Sequence, residues 1–347
     1  MKHRGTGLFL KALGSTALIC AMIAAPTLAA AQAPYKIVDH WKIGGEGGWD
    51  YLLADPGGHR LYVTHGTRVE VLDTTTGKSV GAITGLKGTH GVALDTAGKY
   101  GYISDGTANA VVVFDRASLA TVATIPAGTG PDGIIFEPAT QSVWAFNGRS
   151  KNVTVIDAAS QKVVATIDLP GKPEFPAVDG KGNVYDNLED KSAIVHLDAK
   201  TKSVVGTWPA GCEAPSGLTI DVAGHRLFPV CDGNKMSVID SNTGKLIASP
   251  AIGDGPDAAG WDAKDQLAFA SSGDGLLSVV DAKAAGYPTL EKLATVKGAR
   301  TMAYDSGTDR VYIVAAEYGP KPEATAENPR PRQPVLPGSF QVIVVGR

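Results

Sequence analysis

One short phrase returns six times at near-constant spacing: Val71-Leu72-Asp73, Val113-Phe114-Asp115, Val155-Ile156-Asp157, His196-Leu197-Asp198, Val238-Ile239-Asp240 and Val279-Val280-Asp281. The aspartates lie 42, 42, 41, 42 and 41 residues apart. A period this regular means stacked copies of one supersecondary unit, none of which can bury its apolar surface alone. It overrides the two or three domains that 347 residues would otherwise suggest and assigns residues 35–347 to one array.

Each period reads as four short strands. In the second unit, 91–95 is an apolar strand, 96–99 a turn and 100–105 an aromatic-rich strand; 106–109 is a loop, and 110–115 and 118–125 are the third and fourth strands. β-branched runs broken by Gly, Asp and Asn support this reading. Four strands per 41–42 residues describes a propeller blade. Units begin at Trp49, Gly88, Gly130, Pro173, Pro215, Pro256 and Ala299, which makes seven. The last supplies only three strands, at 302–304, 311–314 and 341–345. The segment 35–43 precedes the first unit, and its Lys42-Ile43-Gly44 parallels Ile125-Pro126-Ala127-Gly128 of an outer strand. The expected fold is therefore all-β: a seven-bladed β-propeller of four-stranded antiparallel blades, the last blade closed by the N-terminal strand. Such closure removes an open sheet edge.

Residues 1–31 stand apart. Lys2, Arg4 and Lys11 give a basic start, 12–25 are apolar, and Ala29-Ala30-Ala31 is a small-x-small cleavage signal. This is the pattern of a secretory signal peptide, implying a periplasmic or secreted protein. The apolar stretch is shorter than the ~20 residues a spanning helix needs. Loss of the leader would leave 29 Lys+Arg against 35 Asp+Glu, with no basic stripe, which argues against a nucleic-acid partner. Cys212 and Cys231 would remain, a candidate disulfide in an oxidising compartment. Each lies at the same end of the same blade.

In a propeller the innermost strands line a central channel, and the loops leading into them share one face. Counting five residues back from the acids that end the first strands (Asp55, Asp95, Glu137, Asp179, Asp221, Asp262 and Asp305) gives Asp50, His90, Asp132, Glu174, Ser216, Asp257 and Arg300. None of the seven is aliphatic. An Asp after Gly-Pro is also a common turn former that caps backbone amides. Yet structural residues recur unchanged between repeats, whereas this register varies in chemistry, as a specialised ligand site would. Converging carboxylates repel unless protonated or neutralised by a cation. Asp50, His90 and Asp132, from neighbouring blades, are candidate ligands for a divalent cation: oxygen donors suit Ca²⁺, and a histidine adds Zn²⁺, Mn²⁺ or Fe. Arg300 either pairs with Asp257 or clamps an anionic ligand.

The ends of the second strands form a less coherent ring: His65, Asp105, Asn147, Leu188, Cys231, Ser272 and Ala315. One insertion, 317–339, interrupts the last blade with Pro320, Pro322, Pro329, Pro331, Pro334 and Pro337, and carries Lys321, Arg330 and Arg332. It reads either as a tolerated surface insertion or as a lid offering cations to the acidic mouth.

The second strands Tyr62-Val63-Thr64-His65, Tyr102-Ile103-Ser104-Asp105, Trp144-Ala145-Phe146-Asn147 and Tyr312-Ile313-Val314-Ala315 resemble the Tyr-Val-Thr-Asn repeat of the YVTN-repeat, YncE-like propellers, a group of secreted bacterial proteins. The resemblance spans the array and implies the fold and export. It implies no single activity, because related seven-bladed propellers include lactonases, lyases, haem-d1 domains and quinoprotein subunits. Three functions stay open. One is binding of a small ligand, metal complex or protein partner at the acidic mouth. Another is a metal-dependent lactonase-like hydrolase or lyase, and the third a protein-interaction scaffold.

Overall fold

A computed structural model describes residues 1–3, 5–7, 34–325, 329, 331 and 333–347. The chain divides into Met1–Ala33 and Pro34–Arg347. Of the signal-peptide pattern, Arg4 and 8–31 lie outside the described residues. No helix among the described residues is long and apolar enough to cross a membrane.

Pro34–Arg347 folds into seven antiparallel sheets, each built from strands consecutive in sequence except the last. The innermost strands are Trp49–Asp55, Thr89–Leu94, Pro131–Glu137, Pro173–Val178, Glu213–Asp221, Pro256–Asp262 and Met302–Asp305, and each packs beside the next around the hub. The fifth blade adds a short piece, Lys235–Met236, before Val238–Asp240. In the seventh, Lys36–Lys42 pairs with Gln341–Gly346, so the N-terminal strand is the outer strand of the last blade, as expected.

The middle strands are apolar on both sides because blades stack face to face. In Ala110–Asp115 every residue but the terminal Asp115 is buried. The apolar side chains form seven clusters, one at each blade–blade interface. Tyr62, Val69 and Val71 of the first blade meet Ile103, Val112 and Phe114 of the second. The ring closes where Tyr312, Val342 and Val344 of the last blade meet Leu52, Leu61 and Val63 of the first. The termini are pinned at this closure. Trp41 packs on Tyr312 with ring centroids 5.2 Å apart. Arg347 lies 4.4 Å over the Tyr35 ring and binds Asp265 of the sixth blade at 2.8 Å.

Two sets of acids hold the turns. Asp73, Asp115, Asp157, Asp198, Asp240 and Asp281 accept backbone N–H groups two or three residues on, at 2.7–2.9 Å. This bonding holds Ala117 and Ser118 in the turn, so the fourth strand of the second blade starts at Thr121 rather than 118. The inner-strand acids hold the neighbouring turns on the same face, as where Asp95 accepts from the amides of Lys99 and Tyr100 at 2.9 Å.

Candidate functional site

Six of the seven register positions sit where the inner strands break step with their partners, and Arg300 precedes the unshifted strand Met302–Asp305. Pairing jumps from Trp49↔His65 to Leu52↔Val63, from Thr89↔Asp105 to Val92↔Ile103, and from Pro131↔Asn147 to Ile134↔Ala145. Equivalent shifts bracket Glu174, Ser216 and Asp257. A bulge re-aims the side chain it carries, which turns these residues from the blade interfaces toward the hub. Polar side chains of the second strands fix their backbones: the Asp50 amide donates to Thr64 Oγ1 at 3.1 Å, and Asn187 Nδ2 donates to the Ser216 carbonyl at 2.8 Å.

Three register residues converge. His90 Nδ1 lies 2.6 Å from Asp50 Oδ2 and 3.4 Å from Asp132 Oδ1. One ligand atom from each of the three falls within 4.8 Å of the others. Burial alone would lower the His90 pKa, but the Asp50 hydrogen bond and the charges of Asp132, Asp50 and Glu174 outweigh it and hold the imidazole up at about 9. Asp132 is pushed up to about 7 by burial first and the Asp50 charge second. Its Oδ1 is buried and accepts no hydrogen bond. Room for the imidazole comes from Gly106, where a Cβ would lie 2.6 Å from His90 Nε2 and 2.9 Å from the Pro131 carbonyl.

The remaining register residues have their own partners. Glu174 meets Lys172 Nζ at 3.0 Å, and Lys172 also contacts Glu189. Burial raises Glu174 above the usual carboxylate range, against the opposing pull of Lys172. Arg300 Nε sits 3.1 Å from Asp257 Oδ2. Asp257 is nonetheless held up at about 7, by burial first, with Asp50 and Glu174 opposing the stabilising Arg300. The Ser216 hydroxyl donates to the Pro256 carbonyl at 2.8 Å, which fastens the fifth blade to the sixth.

Three residues of this region, Tyr51, Phe175 and Asp186, escaped the register count. Tyr51 follows Asp50, and the corresponding positions elsewhere are Gly91, Gly133, Phe175, Gly217, Ala258 and Thr301. Into this layer of small residues Tyr51 and Phe175 insert rings 4.5 Å apart between centroids. The Tyr51 hydroxyl is driven well above its ordinary pKa by burial, then by the charges of Asp257, Asp50, Asp132 and Glu174. The two rings floor the mouth, and beyond them lies a largely apolar cavity of about 360 Å³ lined by Val92, Ile134 and Phe136 among others. The third is Asp186, fully buried, with neither carboxylate oxygen hydrogen-bonded. Burial and then the Glu174 charge push its pKa well up. The same column holds Val63, Ile103, Ala145, Pro229, Ala270 and Ile313 in the other blades, so its departure from the repeat was visible in the sequence.

The second ring contributes little chemistry to the mouth. Asp105 accepts from the amides of Lys87 and Gly88 at 2.8 Å and so anchors the loop that carries His90. His65 is buried against Phe340 with ring centroids 4.2 Å apart. Cys212 and Cys231 form a disulfide with Cα atoms 5.9 Å apart. Arg330 and Arg332 of the insertion lie outside the described residues.

Seven blades around a floored, carboxylate-rich hub define a seven-bladed β-propeller with a polar cup on one face. Solved structures share its architecture. The chain is similar to a chain of Kuenenia stuttgartiensis hydrazine synthase, 15% identical with a TM-score of 0.69, over 77% of this chain and 92% of that one. It is also similar to U3-55K, 11% identical with a TM-score of 0.72, over 89% and 98% of the two chains. The WD40 repeats of RRP9 match at 11% identity and a TM-score of 0.73, over 90% and 97%. At such identities the likeness establishes the fold alone. No family model and no curated protein sequence matches the chain.

Proposed function

We propose that this protein is an exported binding propeller of the YVTN-repeat kind, and that its mouth takes a divalent cation or a small ligand carrying one. The observation that carries this reading is the meeting of one ligand atom each from Asp50, His90 and Asp132 within 4.8 Å of one another. A proton on Nδ1 satisfies Asp50, while Asp132 Oδ1 has no donor. A cation placed among the three would replace that proton and satisfy the orphaned oxygen. One nitrogen and two carboxylates favour Zn²⁺ or Mn²⁺ over Ca²⁺, which prefers six to eight oxygens. Export draws support from the leader pattern of residues 1–31 and from the disulfide, which persists in oxidising compartments. Calorimetric titration with Zn²⁺, Mn²⁺ and Ca²⁺ tests the site: micromolar binding lost in Asp132→Ala supports it, and equal binding by the variant removes it.

A hydrolytic reading has one specific observation in its favour. Asp257, poised at about 7, sits in the same mouth and suits proton transfer near neutral pH. A lactone panel assayed with and without chelator separates this reading from simple binding, since turnover that persists in EDTA excludes a metal-dependent hydrolase.

A further inference from the structure

Beside the carboxylate ring, on the seam between the last and first blades, lies a cavity of about 590 Å³. Tyr318, Lys321, Pro331, Gln333 and Val335 of the insertion line it. The two ends of the insertion run antiparallel: Gly319 N–H donates to the Pro334 carbonyl and Leu336 N–H to the Glu317 carbonyl, both at 2.8 Å. This folds Tyr318 over Trp49, with ring centroids 6.2 Å apart, while Trp49 stacks on Phe340 at 5.0 Å. Two cations, Arg300 and Lys321, line the same space, and no Asp or Glu is among its described lining residues. In a chain of formal charge −3 that is an unusual local balance. Asp257 meets Arg300 at Nε, and 60% of the arginine side chain remains exposed. The charge of Arg300 also reaches the Tyr318 hydroxyl, opposing its burial.

We propose that this cavity is a subsite for a planar organic anion: a carboxylate held by Arg300 and Lys321, its flat apolar body laid against the paired rings of Trp49 and Tyr318. The chemistry is direct. Guanidinium and ammonium groups bind carboxylate through charge-assisted hydrogen bonds, and aromatic walls favour a flat body by stacking. The subsite needs no cation at Asp50, His90 and Asp132, so it stands or falls separately from the reading above.

The test uses 2-naphthoate and its neutral counterpart 2-naphthylmethanol, titrated calorimetrically into the full chain in EDTA. Naphthoate binds at least tenfold more tightly than the alcohol. Lys321→Gln and Arg300→Gln each weaken naphthoate roughly tenfold, the scale of one charge-assisted contact, and leave the alcohol unaffected. Both residues are exposed; Lys321→Gln leaves the melting temperature unchanged, whereas Arg300→Gln also gives up the Asp257 ion pair, so its unaltered affinity for the alcohol is the control for folding. Asp132→Ala leaves naphthoate affinity intact. Equal affinity for acid and alcohol, indifference to both charge variants, or no naphthoate binding at millimolar concentration overturns the proposal. Loss of cation binding with naphthoate binding preserved would remove only the cation site.

Discussion

Tyr51 and Phe175, three blades apart in sequence, meet across the hub with ring centroids 4.5 Å apart and close the channel beneath the carboxylates. They separate a polar cup from an apolar cavity. Phe175→Ala opens this floor, and because the ring is only half-buried the cost falls at or below the usual core value, about 3 kcal/mol by urea unfolding. Tyr51→Phe keeps the plug and removes only the hydroxyl, so unfolding midpoints should match wild type while affinity for any mouth ligand changes. A large stability loss in Tyr51→Phe would mean that the hydroxyl serves the fold.

Stability should fall as pH rises through the neutral range. Asp132 and Asp257 have folded pKa values of about 7, above the ordinary 3.8. Their contribution is complete below the unfolded value and is lost as pH climbs through 7. His90, held up at about 9, contributes fully below 6.5 and loses that contribution through 9. The turn carboxylates, among them Asp73 and Asp115, are held low by their amides and weaken the protein only in acid. Melting temperature followed from pH 4 to 9 should decline. Asp132→Asn with Asp257→Asn flattens the lower half and His90→Gln the upper half. An unchanged slope in the triple variant would contradict the assignment.

Cation loading competes with the same protons. Zn²⁺ or Mn²⁺ should raise the melting temperature more at pH 8 than at pH 5, because His90 and Asp132 must give up protons to ligate. A shift independent of pH would place the ion elsewhere.

Gly106 shapes the site from the neighbouring strand end. Gly106→Ala sets a methyl group 2.6 Å from His90 Nε2 and 2.9 Å from a backbone carbonyl, so the imidazole must move. Cation affinity should drop about tenfold or more while the unfolding midpoint shifts modestly. Unaltered affinity would show that His90 is not a ligand.

Two closures should carry measurable stability. Trp41→Ala removes a buried ring from the N-terminal strand and should cost about 3–5 kcal/mol. It should also expose the sheet edge, seen as concentration-dependent aggregation by light scattering. Reduction of Cys212–Cys231, whose sequence separation is 19, should cost about 3 kcal/mol on the chain-entropy account. Equal denaturation midpoints with and without reductant would contradict this.

Much of the molecule was legible in one dimension. The recurring third-strand aspartates announced the blades, and the three-stranded last unit announced that the N-terminal segment must complete it. The register count named Asp50, His90 and Asp132 because a repeat maps equivalent residues onto equivalent places. Asp186 was legible too, as the one acid in an apolar column, but only to a reader comparing that column across blades.

Periodicity encodes position within a blade, and so the primary structure alone determined seven blades, their closure and a polar ring at the hub. It could not rank the members of that ring. Which of them touch depends on bulges that turn each side chain inward and on the curvature that brings distant strands together. Only the folded ring therefore decided that His90 lies between two carboxylates and that Ser216 is spent on a neighbouring carbonyl. The same closure set Tyr51 against Phe175 and placed Tyr318 and Lys321 in one cavity with Arg300. Those contacts join segments that no local pattern relates.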